Sequence, residues 1–116
     1  MPTTILVADD EPDILAVLAD LLEGEGYRVL RARDGAEALA RLERERPDLL
    51  LTDDRMPHLR GVDLAAHLGA RLARAVPVIL MSAVAPASLP PGTTFLPKPF
   101  DLNRLLDMVA RLLPAP

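Results

Sequence analysis

The chain has 116 residues, half of them hydrophobic, no cysteine and a formal net charge of -4 at pH 7. That length predicts one compact domain that folds without disulfide or structural metal, and the lack of cysteine removes thiolate chemistry and Cys-based metal sites. The acid excess, with no basic cluster, argues against direct nucleic-acid binding, which needs a surface stripe of Lys and Arg; no apolar run approaches a membrane span, so a soluble cytoplasmic protein is expected.

From the N-terminus, the apolar run Thr4 to Ala8 suits a buried parallel strand. The first helix is predicted from about Pro12 to Glu23, with Pro in a tolerated first turn, Ile14, Leu18, Leu21 and Leu22 on one face, and Gly24 and Gly26 ending it. A second strand, Tyr27 to Ala32, leads to a helix with N-cap Asp34 and capping-box partner Glu37 that stops before Pro47. A third strand covers Asp48 to Thr52, and a third helix runs from about Gly61 to Arg74, burying Val62, Ala65, Leu68 and Leu72. Strands at Pro77 to Met81 and Thr93 to Leu96 flank Ala83 to Gly92, where Pro86, Pro90 and Pro91 prevent a regular helix. A fourth helix there is shortened or missing. The last helix follows N-cap Asp101 and sets Leu102, Leu105, Leu106, Val109, Leu112 and Leu113 at helical spacing.

Strands alternating with helices predict right-handed crossovers and an α/β fold: a doubly wound, five-stranded parallel sheet in the order 2-1-3-4-5, covered on both faces. With no internal repeat or linker, residues 1–116 are expected to form a single domain with no output domain in this chain.

In a parallel sheet every strand ends on the same edge, where open α/β sheets build their sites. Strand one ends in Asp9-Asp10-Glu11, strand three in Asp53-Asp54 and strand four in Ser82, while Lys98 follows strand five. Two carboxylates about 4 Å apart repel by roughly 4 kcal/mol at an effective dielectric of about 20, so the cluster calls for a cation. Magnesium is the natural candidate, because it takes carboxylate and water oxygens and completes its shell with a substrate phosphate. The metal and a nearby ammonium would let a carboxylate attack phosphorus, making Asp53 the site of an acyl phosphate. Lys98 is the one Lys beside twelve Arg, and a flexible ammonium fits a point-charge role on phosphate.

The blocks Ile5 to Pro12, Pro47 to Asp53, Met56-Pro57, Gly61, Pro77 to Ala83 and Lys98-Pro99-Phe100 resemble, in order and spacing, the signature blocks of response-regulator receiver domains, the CheY-like family of two-component signalling. The resemblance spans nearly the whole chain except the stretch between Ser82 and Phe95. It implies a flavodoxin-like fold and a phosphorelay switch that takes a phosphoryl group from a histidine kinase or phosphotransfer protein onto Asp53 and hydrolyses it slowly. Turnover is confined to the protein's own phosphorylation and dephosphorylation, so it is not an enzyme acting on a separate substrate. Asp10, Asp9, Asp53 and the backbone carbonyl of Arg55 match the ligands of Mg2+, Asp10 being the more direct ligand of the acid pair. Ser82 matches the hydroxyl that bonds the phosphoryl group and reorients on activation, Lys98 the lysine on a phosphoryl oxygen, and Phe95 the aromatic switch residue. The bond matching Lys98-Pro99 is cis in the family, and a downstream protein effector is implied.

Two departures from that pattern stand out. The segment between Ser82 and Lys98 is shorter than usual and proline-rich, which puts dimerisation through the usual face of helix 4, strand 5 and helix 5 in doubt. Asp54 adds a carboxylate beside the acceptor, either pointing outward or adding to the acid-pair repulsion, and Arg55 either reaches the acids and alters hydrolysis or is simply solvated.

Taken singly, the acid run reads as a helix N-terminus complementing its dipole, Ser82 as a turn residue and Lys98 as a loop cation; it is their shared edge that points to chemistry. His58 and His67 lack any partner pattern and are expected at the surface, and Phe95 also suits plain core packing. The rival function is a pseudo-receiver, a protein-interaction module that keeps the fold without being phosphorylated. A magnesium-dependent phosphohydrolase would need a second general acid and a cap, for which the chain has no room.

Overall fold

The computed structural model describes residues 3–71 and 76–113, apart from the side chains at 69–71. Five strands, β1 (Thr4–Ala8), β2 (Arg28–Ala32), β3 (Leu49–Asp53), β4 (Val78–Ser82) and β5 (Thr93–Pro97), form one sheet. Its order is β2-β1-β3-β4-β5 and all four pairings are parallel, as the alternating pattern predicted. The helices are α1 (Pro12–Gly24), α2 (Gly35–Glu45), α3 (Gly61–Arg71) and α4 (Leu102–Leu112). No helix forms between β4 and β5, where residues 83–92 make bends and a turn. The prolines there lack the donor N–H a helix interior requires.

The central strands β3 and β4 are buried at every position, which is what a sheet packed on both faces demands. Two apolar clusters result. One joins Ile5, Val7, Leu49, Leu51 and Ile79 to Leu18 and Leu22 of α1 and Leu105 and Val109 of α4. The other joins Leu6, Leu30, Leu50 and Val78 to Ala38 and Leu42 of α2 and Leu64, Ala65 and Leu68 of α3. Each fully buried Leu or Ile contributes about 1.5–3 kcal/mol relative to an exposed one.

The buried face of α1 is rotated from the predicted one: Leu15, Leu18, Ala19 and Leu22 are inward, whereas Ile14 is 40% exposed. Both sets share Leu18 and Leu22, and hydrophobicity alone did not separate Ile14 from Leu15. In α3, Leu64 is buried in place of the half-buried Val62, and the expected turn around Leu72 lies outside the described residues. In α4 only Leu105 and Val109 are fully inward along the helix, and Leu102 is 41% exposed. The limits of β1 are as predicted and those of β2 to β5 differ by a residue, which matters at β3, because Asp53 belongs to the strand.

Asp34 caps α2 as expected, its side chain accepting the Glu37 N–H at 2.8 Å. His58 is exposed, but His67 is half-buried, its Nε2 3.6 Å from Glu43 Oε1 on α2, so the surface expectation fails for that residue.

Candidate functional site: an acid pocket at the sheet edge

Strand register brings the acids together. Ala8 pairs with Thr52, so the residues that follow, Asp9 just past β1 and Asp53 at the end of β3, come side by side at the sheet edge. One ligand oxygen from each of Asp9, Asp10 and Asp53 lies within 4.8 Å of the others. Asp9 and Asp53 are buried and Asp10 is exposed.

The two oxygens of Asp9 have different surroundings. Oδ1 accepts the Glu11 N–H at 2.9 Å, which fixes the turn into α1. Oδ2 is buried and has no hydrogen-bond partner among the described residues. Burial pushes the Asp9 carboxyl above its usual range, and the negative charges of Asp53 and Asp10 push the same way against the Glu11 N–H and Lys98. A buried carboxylate oxygen without a donor carries a free-energy penalty unless a cation meets it. Three clustered carboxylates, one of them carrying such an oxygen, are a donor set suited to a hard divalent ion such as Mg2+.

Lys98 enters from the other side. Its backbone N–H donates to the Ser82 carbonyl at 2.9 Å, which ties the β5 exit to the end of β4, and Lys98-Pro99 is cis, as the resemblance implied. Its Nζ donates to Asp53 Oδ1 at 2.7 Å. Burial alone would lower its pKa, but the hydrogen bond and charge of Asp53, with Asp9 and Glu11, raise it above that of an ordinary lysine. The ammonium is therefore held in its charged form beside the Asp53 carboxylate.

Ser82 is buried at the end of β4, and its Oγ accepts the Val84 N–H at 3.2 Å. Phe95, paired in register with Leu80, is half-buried on β5. The Arg55 side chain is exposed in the β3–α3 loop.

Asp54 does not point outward. It is 4% exposed and turns to the start of α3, where Oδ1 accepts the Val62 N–H at 3.1 Å and Oδ2 accepts from Arg60 Nη2. No pattern in the sequence announced this pairing, since the loop between the two residues has no regular period.

Fold and site together define a flavodoxin-like α/β domain with an acid and lysine pocket at the carboxyl edge of its sheet. The profile of the response regulator receiver domain matches residues 5–110, and the chain belongs to that family of two-component signalling proteins. Sporulation initiation phosphotransferase F of Bacillus subtilis is 30% identical over 120 residues, covering 98% of this chain and 96% of that protein. The transcriptional regulatory protein PdtaR of Mycobacterium tuberculosis is 31% identical over 116 residues, which is 94% of this chain but only 56% of that protein's length. Among solved structures, the receiver domain of the hybrid histidine kinase CckA aligns with a TM-score of 0.81 at 38% identity, covering 95% of this chain and 98% of that one. Family membership supports a phosphoacceptor role, and no described helix is long and apolar enough to cross a membrane.

Proposed function

We propose that Asp53 accepts a phosphoryl group from a phosphohistidine donor in a Mg2+-dependent reaction, and that the acyl phosphate is later hydrolysed slowly within the domain. The supporting observation is the meeting of three carboxylates within 4.8 Å, with an Asp9 oxygen that has no partner among the described residues, and the 2.7 Å Lys98–Asp53 contact. Asp9, Asp10, Asp53 and the Arg55 carbonyl would hold the ion, which when bound supplies positive charge to the acids and to phosphoryl oxygens. A carboxylate oxygen of Asp53 attacks phosphorus, the bond to the donor imidazole breaks, and the leaving nitrogen keeps the electron pair. Lys98 offsets charge on a phosphoryl oxygen, and the Ser82 hydroxyl, whose oxygen accepts the Val84 N–H, reorients to donate to the new phosphate, with Phe95 as the aromatic residue that responds. A protein effector then reads the change. The chain catalyses only its own modification.

Intact-mass measurement after incubation with acetyl phosphate and Mg2+ tests this reading. One phosphoryl adduct is expected, absent without Mg2+ and absent in Asp53→Asn. A wild-type protein that gains no adduct from acetyl phosphate or a phosphohistidine protein would instead be a pseudo-receiver, a reading motivated by the missing helix between β4 and β5.

A further inference from the structure

The β3–α3 loop is tied to itself through Asp54. The Asp54 N–H donates to the Met81 carbonyl at 3.0 Å, which anchors the residue to β4. Its carbonyl accepts the Gly61 N–H at 3.0 Å, while its carboxylate takes the Val62 N–H and the Arg60 guanidinium. One residue at the start of the loop thus binds three consecutive residues at its end. Gly61 completes the contact: a Cβ there would lie 2.4 Å from the Asp53 carbonyl oxygen, so α3 begins directly against the backbone of Asp53. Arg55 lies in sequence between these ties, next to Asp54, with its side chain exposed.

A carboxylate this buried carries a desolvation cost that its partly exposed partner Arg60 offsets only in part. Its pairing with Arg60 also offsets a charge that would otherwise add to the repulsion among Asp9, Asp10 and Asp53.

We propose that Asp54, with Arg60, is a positioning residue that holds the β3–α3 loop so that the Arg55 carbonyl is fixed beside Asp53 for binding Mg2+. This deepens the reading above and rests on it. Asp54 touches neither phosphate nor ion in this scheme; it acts by fixing the backbone that does.

Calorimetric titration with Mg2+ alone, at fixed neutral pH and ionic strength, is the test, paired with hydrogen exchange at the Gly61 and Val62 amides. Asp54→Ala loses every side-chain tie and is expected to weaken Mg2+ binding by about 10-fold to 100-fold, the range seen when groups supporting metal ligands are removed, with faster exchange at both amides. Asp54→Asn keeps an oxygen for the Val62 N–H and should retain most of the affinity. Arg60→Ala keeps that bond too and should weaken binding less than Asp54→Ala does. If Asp54→Ala does not fold, the same order between wild type, Asp54→Asn and Arg60→Ala, with affinity lost in proportion to amide protection, decides the matter. Unchanged Mg2+ affinity in variants whose amides exchange faster would overturn the positioning role and leave the phosphoacceptor reading standing. Equal effects of Asn and Ala at position 54, with tighter binding in Arg60→Ala, would make the effect one of charge and likewise overturn it. A wild-type protein that binds no Mg2+ would overturn both proposals together.

Discussion

The two sides of the sheet's carboxyl edge are built differently. Around β1 and β3, buried strands run into Asp9 and Asp53, α1 begins directly after the acid run, and the loop after β3 is closed by Asp54. After β4 the chain instead crosses to β5 through residues 83–92 without a helix, leaving Val84 62% and Leu89 38% exposed. The difference teaches that the pocket depends on strand register and not on the helix that is missing. Ser82 and Lys98 still reach it, because β4–β5 pairing and the Lys98 N–H bond to Ser82 carry them there.

Mutations can sharpen or break that contrast. Leu51→Ala, which opens a cavity in the fully buried β3, is expected to destabilise by about 2–5 kcal/mol, measured by urea unfolding. Lys98→Ala should slow phosphorylation by roughly 100-fold to 1000-fold, the usual cost of removing a preorganised group that meets developing charge. Lys98→Arg should also slow it despite the retained charge, since a planar fork does not replace a point charge; unaltered kinetics in that variant would remove the point-charge argument. Mg2+ at 100 times its Kd should stabilise the fold by about 2.7 kcal/mol through mass action, by relieving the cost of charged, buried Asp9. Thermal unfolding should show this shift in wild type and lose most of it in Asp10→Ala. The smallest effect belongs to the other region: Leu89→Ser should change stability by no more than about 0.5 kcal/mol and leave acetyl-phosphate labelling intact. A loss comparable to that of Leu51→Ala would show that residues 83–92 carry the fold after all, and the contrast would fail.

Much of this was legible because it is local or periodic. Five apolar runs separated by helical patterns admit few arrangements other than a parallel sheet, and a parallel sheet necessarily gathers the residues at its strand ends on one edge. Pro86, Pro90 and Pro91 likewise announced the missing helix, since proline acts through its own backbone. Less was legible where two candidates had the same chemistry. Ile14 and Leu15 are equally apolar, and only the angle at which α1 meets the sheet buries one and exposes the other.

The sequence by itself thus determined the parallel α/β fold class and the set of residues at the edge, because these follow from periodicity and connectivity. Tertiary structure alone decided that Asp9 keeps an oxygen without a partner among the described residues, that Lys98 binds Asp53 and that Asp54 turns to α3 and Arg60. Those outcomes depend on distances between residues far apart in the chain or across an irregular loop, and neither kind of contact leaves a period to read.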